Sequence, residues 1–214
     1  ANLDSAYFCQ VKDKTGKIIY RLPNHHFDIK ATSPGRGTIV LLGGVIDYGE
    51  INRNLFWIRP NYVDTVYSTS DWTDVRPYYI IQRNNRAADY AWSVRMKVGD
   101  ITREDAEREQ LCNVYALKSG LLFNYLFNPK QQGAGFCPAN GKSKTISRLF
   151  KNDIDSYCPS IDLWQAIAYK TLYQKEDYLY LLIDAFKFFE EGAKSPFPDL
   201  TEESNPVLVK LKLK

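Results

Sequence analysis

Histidine is almost absent from this sequence, and its scarcity limits the chemistry that the chain can perform. The chain contains two histidines, His25 and His26, which are adjacent. Neighbouring residues of a strand point to opposite faces, so only one imidazole could join Asp28 in a single site. No two cysteines have the Cys-x-x-Cys spacing of a zinc site. We therefore predict no metal centre and no cofactor, and interpret the histidine pair as part of an exposed loop.

A strong charge imbalance and a long apolar run are also missing. The formal net charge is only +3, and basic and acidic residues alternate along most of the chain. Such a weak and mixed charge does not by itself attract nucleic acid or a membrane surface. No apolar run approaches the roughly 18 residues of a membrane span. The sequence thus argues against a membrane span and against nucleic acid as the partner.

The cysteines and the start of the chain bear on the compartment. The sequence begins with alanine and without an apolar leader, which is typical of a mature product or of a trimmed chain, and a removed secretory signal is one explanation. Its four cysteines are even in number and widely spread, which favours two disulfides in a secreted, extracellular or periplasmic protein. The preferred pairing is Cys137 with Cys158 and Cys9 with Cys112. Four buried thiols in a cytosolic protein are the alternative.

The first half of the chain has the pattern of short strands. A turn at 12–16 with Gly16 at its end separates two short apolar or β-branched runs, which predicts a hairpin. The nearly continuous apolar run at 38–46 is typical of a strand buried on both faces. Further aromatic or β-branched runs predict strands at 54–58, 62–67, 78–82 and 90–98.

The second half has a more helical pattern. Thr102 and Asp105 resemble a capping box, which predicts a helix over 102–118, although a hairpin around Gly120 is the alternative. Ser160 could cap a second helix, and a third apolar stripe at helical spacing runs over 179–189. Apolar residues at 207, 209, 211 and 213 alternate with lysines and predict an edge strand of the main sheet, packed on the first-half core.

These patterns together predict an α+β fold. We expect one domain spanning 1–214, with a β-rich part at 1–100, a helix-rich part at 101–192 and a C-terminal strand at 207–213. The sheet would be mainly antiparallel, formed by the N-terminal half and the C-terminal strand, and helices from the second half would pack on it.

A glycine-containing stretch, GAGFCPANGKSKT at 133–145, comes near three chemical signatures. Five residues separate Gly135 from Gly141, one too many for a phosphate-binding P-loop, and Pro138 removes a backbone donor. A nucleophilic Cys137 would need an imidazole, and both histidines lie more than a hundred residues upstream. A disulfide-stapled surface loop is the interpretation that needs the least coincidence.

Arginines and aromatic residues interleave between 76 and 95, in a chain that is 14% aromatic. Guanidinium groups beside aromatic rings suit sugars, phosphates, carboxylates or single-stranded nucleic acid. An ordinary antiparallel pair turning at 84–86 is the interpretation that this pattern favours, and the surface is the best candidate for a binding site. The candidate ligand-binding residues are Arg76, Tyr78, Arg83, Arg86, Tyr90, Trp92 and Arg95.

The leading hypothesis is a secreted, disulfide-containing, effector-like binding protein that acts on a protein or carbohydrate ligand through this surface. No intact catalytic motif is present, so a non-enzymatic role is favoured. One alternative is a secreted carboxylate-dependent hydrolase, a glycosidase or a nuclease, and another is a carrier of apolar ligands. Asp153 and Asp155 have the short Asp-x-Asp form seen in many glycosyltransferases, but the motif is common by chance and a solvated turn is the preferred interpretation. The candidate catalytic acids are Asp47, Glu50, Asp71, Asp74, Asp153 and Asp155.

Overall fold

Antiparallel strands form most of the described chain. The computed structural model describes residues 6–24, 46–89, 91–93, 95, 102–127, 131–141, 144–146, 149–150, 161–189 and 197–213. The predictions that concern His25, His26, Asp28, the run at 38–45, Tyr90, Lys142, Asp153, Asp155, Cys158 and Ser160 lie outside these residues.

Two sheets come from the first half. A hairpin pairs β1 (Tyr7–Lys12) with β2 (Ile18–Pro23). Its turn is held by the Asp13 carboxylate, which accepts hydrogen bonds from the backbone N–H groups of Thr15 and Lys17 at 2.8 and 3.0 Å. The predicted hairpin is therefore confirmed. A four-stranded sheet follows, formed in order by β3 (Ile46–Asn52), β4 (Leu55–Pro60), β5 (Thr65–Thr69) and β6 (Arg76–Ile80).

Two further sheets and a short strand pair come from the second half. A four-stranded sheet has the order β10-β9-β8-β7, formed by β7 (Glu109–Ala116), β8 (Gly120–Phe127), β9 (Gln131–Pro138) and β10 (Lys144–Ile146). A short pair joins β11 (Leu149–Phe150) to β12 (Ile161–Asp162). A three-stranded sheet has the order β13-β14-β15, formed by β13 (Tyr173–Lys175), β14 (Tyr178–Ile183) and β15 (Val207–Leu211).

The predicted α+β fold is wrong, because the second half is built from strands rather than helices. The capping hydrogen bonds of Thr102 and Asp105 do form, at 3.0–3.2 Å, but they begin only one 3-10 turn, Asp105–Glu107. Every residue from 111 to 117 is buried, which a strand lying between other layers satisfies and an amphipathic helix does not. The alternative hairpin around Gly120 is the one observed.

The other two predicted helices also differ from the structure. The stripe at 179–189 is strand β14 followed by a 3-10 turn, Ala185–Phe188. The helix expected after Cys158 is present as α1 (Leu163–Ala168), only six residues long. Asp162 caps it by accepting the backbone N–H of Gln165 at 3.0 Å. In the first half, the strand expected at 90–98 is wrong, since residues 91–93 are helical.

Most of the glycine-containing stretch is strand rather than surface loop, so that prediction is wrong for 133–138 and 144–145, and of its described residues only 139–141 form an exposed turn. Residues 131–138 form strand β9, where Gly133 lies opposite Tyr125 and Gly135 lies opposite Phe123. The two aromatic rings cover the glycine backbone so closely that a Cβ atom on Gly133 would lie 2.5 Å from the Tyr125 hydroxyl oxygen. Aromatic side chains that cover glycines on a neighbouring strand are a known device of twisted sheets.

The cysteine prediction is tested only in part. Cys9 and Cys112 both carry free thiols, so the expected bond between them is not formed. Cys158 lies outside the described residues, and the pairing of Cys137 with Cys158 stays a prediction, as does export of the chain. No helix in the described ranges is both long and apolar enough to cross a membrane.

The C-terminal strand is confirmed, but its position differs from the prediction. Strand β15 pairs with β14 in the small sheet, and Leu211 is buried in a core formed by the second half. Val207, Val209 and Leu213 pack against the same core rather than against the first-half core. A separate cluster, which includes Trp57 and Val114, draws on both halves. That 1–214 folds as one cooperative domain stays a prediction.

One buried side chain ties three sheets together. The Gln174 side chain on β13 accepts a hydrogen bond from Trp57 Nε1 at 3.0 Å and donates to the carbonyls of Glu50 and Ala116 at 3.0 and 2.6 Å. These partners lie on β4, β3 and β7, respectively. The hydrogen bonds of this one amide group therefore fix the small sheet to both four-stranded sheets.

The covered glycines generate a stability prediction. We expect Gly135→Ala to lower the free energy of unfolding by about 1–3 kcal/mol, because the added methyl group would displace the Phe123 ring. Gly141→Ala is the control, since a Cβ atom there meets Pro138 only at ordinary contact distances of 3.5 Å or more. Urea unfolding followed by fluorescence measures both variants, and equal midpoints would contradict the packing described.

The two faces of β15 generate a second prediction. Leu211 is 6% exposed whereas Leu208 is 63% exposed. Leu211→Ala should therefore reduce the free energy of unfolding by about 2–5 kcal/mol, and Leu208→Ala should change it by less than about 0.5 kcal/mol. Thermal melting of the two variants checks the strand register, and the reverse order of the two effects would show that the register is shifted by one residue.

Candidate functional site

The arginines and aromatic residues expected to form a ligand-binding surface are divided between the surface and the interior. Arg76 and Arg86 are exposed, and the Arg76 guanidinium lies 2.5 Å from the Asp74 carboxylate. Tyr78 is half-buried, and its ring meets the Tyr79 ring edge-on with 4.6 Å between centroids. These residues remain available to a ligand, and their role in binding stays a prediction.

Three of the other candidates make internal contacts instead. Trp92 is 1% exposed and donates from Nε1 to the carbonyl of Asp105 at 2.9 Å. Arg83 pairs with the Asp64 carboxylate and donates to the Ala88 carbonyl at 2.6 Å. Arg95 contacts the buried Asp105 carboxylate at 2.8 Å. Because Trp92 belongs to the core, the predicted residues do not form one continuous exposed face.

The candidate catalytic acids are held in different surroundings. Asp47 is buried, Asp71 and Asp74 are exposed in a turn, and Glu50 is half-buried. Asp71 accepts from the backbone and hydroxyl of Thr73, and these hydrogen bonds lower the pKa of its carboxyl. The described residues hold no group of three or more histidine, cysteine or acidic side chains that could bind a metal ion.

Asp47 is surrounded by cations rather than by a second carboxylate. Arg59 and Lys170 approach its two oxygens at 3.2 and 3.4 Å, and the backbone N–H of Val114 donates to it at 3.1 Å. Burial raises the pKa of the Asp47 carboxyl, and the neighbouring guanidinium and ammonium groups oppose that rise. Asp47 therefore holds the backbone of Val114 and two cationic side chains in place. This arrangement does not resemble the paired carboxylates of a glycosidase.

The neighbouring thiol is equally unsuited to catalysis. Burial raises the pKa of Cys112 to about 12, with the Asp47 carboxylate adding to the rise and the Arg59 guanidinium opposing it. A thiol with such a pKa carries almost no thiolate at neutral pH, and the thiolate is the nucleophile. Cys112 is therefore a structural residue, buried beside Asp47 and Arg59.

A different surface brings aromatic and basic side chains together. It is the outward face of the three-stranded sheet β13-β14-β15, which we call the Tyr–Lys face. The side chains of this face are Tyr173, Lys175, Tyr178, Tyr180, Leu182, Leu208, Lys210 and Lys212.

Strict alternation along the strands creates this face. In β14, Leu179, Leu181 and Ile183 are buried in the core. The residues between them therefore point to the opposite side, where Leu182 is exposed and Tyr178 and Tyr180 are half-buried. The buried Gln174 separates Tyr173 from Lys175 in the same way, so both of these exposed side chains point outward.

The aromatic rings and ammonium groups of the face contact one another. Lys210 Nζ lies 3.7 Å from the ring centroid of Tyr178 and 5.9 Å from that of Tyr180. Lys212 Nζ lies 5.7 Å from the same Tyr178 centroid. The rings of Tyr173 and Tyr180, which are directly paired across the strands, have centroids 6.4 Å apart. Cation–π contacts of this kind hold the lysines over the face.

Large apolar side chains remain uncovered on this surface. Tyr173, Leu182 and Leu208 are between 63% and 66% exposed. A single exposed leucine needs no explanation, but a group of large apolar and aromatic side chains on one rigid sheet is typical of an interaction site. The Tyr–Lys face is therefore the best candidate functional site in the described part of the chain.

Comparison of the chain with protein-family models, with curated proteins and with solved structures gives no match. The candidate site consequently depends on its own geometry and chemistry.

Sequence reasoning missed most of this site, although one signal was present. Residues 178–183 read Tyr-Leu-Tyr-Leu-Leu-Ile, where two tyrosines and a leucine alternate with apolar residues at a period of two. The same stretch also fits a helical stripe, which is why the sequence alone favours a helix over 179–189. The alternation of lysines with apolar residues at 207–213 does predict the place of Lys210 and Lys212 on the outer side of a strand.

The contacts of Asp105 generate a pH prediction. Its hydrogen bond with Arg95, helped by those with Thr102, lowers the pKa of the carboxyl to about 2, against an ordinary value of 3.8. A carboxyl with a lowered pKa stabilises the fold above its ordinary pKa, and that contribution is lost as the pH falls towards 2. Asp105→Asn should lower the melting temperature at pH 7 by about 5 °C.

The difference in melting temperature between the Asp105→Asn variant and the unmodified chain should become smaller as the pH falls from about 4 to about 2. Asp74→Asn is the control, because it removes only an exposed ion pair with Arg76 and should have little effect at any pH. Melting curves across this pH range measure both variants. A difference that stays constant with pH would show that the Asp105 charge is not the cause.

Proposed function

We propose that this protein acts as a binding protein and that the Tyr–Lys face is its ligand-binding surface. The observation that carries the proposal is the open side of the sheet, where rings and ammonium groups lie next to exposed leucines. Tyrosine is enriched at protein interfaces because it combines a large contact area with a polar tip. A rigid sheet presents such side chains without much loss of conformational entropy on binding.

The buried face of the same sheet supports this assignment. The buried face of the sheet contributes four apolar side chains to the core, those of Leu179, Leu181, Ile183 and Leu211. The outward tyrosines and leucines are therefore not needed to complete that core, and their substitution should leave the fold intact. Residues that are dispensable for folding yet large and exposed are best explained by a ligand.

Binding is favoured over catalysis by the chemistry of the described acids and thiols. The buried carboxylate Asp47 is neutralised by two cations, and the buried Cys112 is protonated at neutral pH. The hydrolase and carrier alternatives gain no supporting observation. Export and the bond between Cys137 and Cys158 remain part of the proposal, on the cysteine pattern alone.

A matched pair of double variants tests the proposal. Tyr173→Ser with Leu182→Ser removes two side chains of the face, whereas Ile19→Ser with Ile80→Ser removes two exposed side chains elsewhere, 46% and 77% exposed. Three chemically different probes are offered: a display library of random dodecapeptides, heparin oligosaccharides and oligo-dT. Thermal melting first establishes that both variants are folded.

We expect at least one probe class to bind the unmodified chain and the control variant, and to bind the face variant about tenfold or more weakly. Such a loss is expected because central aromatic and apolar contacts contribute most of the affinity of an interface. If every probe that binds treats the two variants alike, or if none binds, the assignment of the face is wrong.

A further inference from the structure

The chemistry of the Tyr–Lys face changes along its strands. Strand pairing sorts its side chains into three rows, and successive rows lie two residues, or about 7 Å, apart. The first row is Leu182 opposite Leu208, the second is Tyr173, Tyr180 and Lys210, and the third is Lys175 and Tyr178 with Lys212 beside them.

The third row is the cationic end of the face. The Lys210 ammonium leans towards this row, since it lies closer to the Tyr178 ring than to the ring of Tyr180 in its own row, 3.7 against 5.9 Å. The ammonium groups of Lys210 and Lys212 therefore lie near the Tyr178 ring, and Lys175 is paired with Tyr178 across the strands. The turn between β13 and β14 adds the exposed carboxylate of Glu176. Because one carboxylate does not offset three lysines, the net charge of this end stays positive. The neighbouring Asp177 carboxylate is already bound by the backbone and hydroxyl of Ser119 at 2.9 and 2.8 Å.

The first row is the apolar end of the face. Leu182 and Leu208 are directly paired and are 66% and 63% exposed. They offer a ligand no hydrogen-bonding group, so only an apolar group of the ligand gains by covering them. Between the two ends, the rings of Tyr173 and Tyr180 are inclined to each other by 49°. Rings inclined in this way do not present one flat platform.

We propose that the ligand of the Tyr–Lys face is an acidic segment of a partner protein, with apolar side chains at one end and carboxylates at the other. This inference rests on the proposed function of the face and adds the chemistry of the ligand. The apolar side chains would cover the leucine row, and the carboxylates would contact the ammonium groups of Lys210 and Lys212. Opposite charge across an interface steers the encounter and fixes the orientation of the partner.

Single-stranded nucleic acid and sulfated glycans fit the same lysines less well. Base stacking needs an open ring face, but the Lys210 ammonium lies on the Tyr178 ring at 3.7 Å. A sulfated glycan is polar along its whole length, and the bases of a single strand alternate with charged phosphates, so neither polymer offers the leucine row a cluster of aliphatic side chains. Both classes are therefore kept as competing outcomes of the experiment rather than as parts of the proposal.

The experiment selects peptides from a display library of random dodecapeptides on the full chain at physiological salt, with counter-selection on the Tyr173→Ser, Leu182→Ser variant. The enriched peptides should combine aspartate or glutamate with large apolar residues. Fluorescence anisotropy then measures one enriched peptide against a charge-reversal variant, Lys210→Glu with Lys212→Glu. Lys12→Glu with Lys14→Glu is the control, since both of these lysines are exposed on the β1–β2 hairpin.

The charge-reversal variant should bind the acidic peptide about tenfold or more weakly, and the control variant should bind it unchanged. A peptide whose carboxylates are replaced by lysines should bind the charge-reversal variant better than it binds the unmodified chain. That exchange of specificity separates direct contact from damage to the fold.

The outcomes separate the two proposals. Face-dependent peptides without acidic residues would overturn the inference on the ligand and leave the binding function standing. Face-dependent binding of oligo-dT or heparin oligosaccharides, with no acidic peptide enriched, would do the same. If nothing binds the face at all, both proposals are wrong.

Discussion

The arrangement of the sheets depends on the hydrogen bonds of the Gln174 amide group. It is 6% exposed, and it bonds to groups on β3, β4 and β7 from its own place on β13. A buried amide left without partners would destabilise the fold, so these strands are held at the distance that satisfies it. Gly49 leaves the required space, because a Cβ atom there would lie 2.8 Å from the Gln174 oxygen. The neighbours of Gln174 in the strand, Tyr173 and Lys175, are consequently fixed on the outer side.

Two buried polar side chains, Asn124 and Asp47, accept hydrogen bonds from the backbone of β7 where its pairing with β8 is irregular. The register between β7 and β8 shifts between Leu111 and Val114, and two backbone N–H groups in this bulge donate to side chains. The Asn124 side chain accepts one of them, from Asn113, at 2.8 Å, and Asp47 accepts the other, from Val114, at 3.1 Å. Arg59 and Lys170 then balance the Asp47 charge. Buried ion pairs add little stability on average, and this one is best understood as the means of holding the bulge.

How far the sequence predicts this structure varies from element to element. The hairpin of β1 and β2 was predictable because Asp13 and Gly16 impose a local turn. Strand β15 was predictable because lysines alternate with apolar residues and leave no helical interpretation. Strand β14 was not, because Leu179, Leu182, Ile183 and Phe186 also have the spacing of a helix face. Strand partners far away in the chain decide between the two periods. The burial of Trp92 likewise depends on Asp105, a hydrogen-bond acceptor thirteen residues away, which no local pattern reveals.

The fit between Gly135 and Phe123 has a consequence for how this chain can diverge. The ring occupies the volume that a side chain at 135 would need, so the two positions share a single space on neighbouring strands. A larger residue at 135 is compatible with the sheet only if the residue at 123 becomes smaller. The two positions should therefore change together among related chains. Such paired substitutions would reveal the pairing of β8 with β9 in a relative whose structure is unknown.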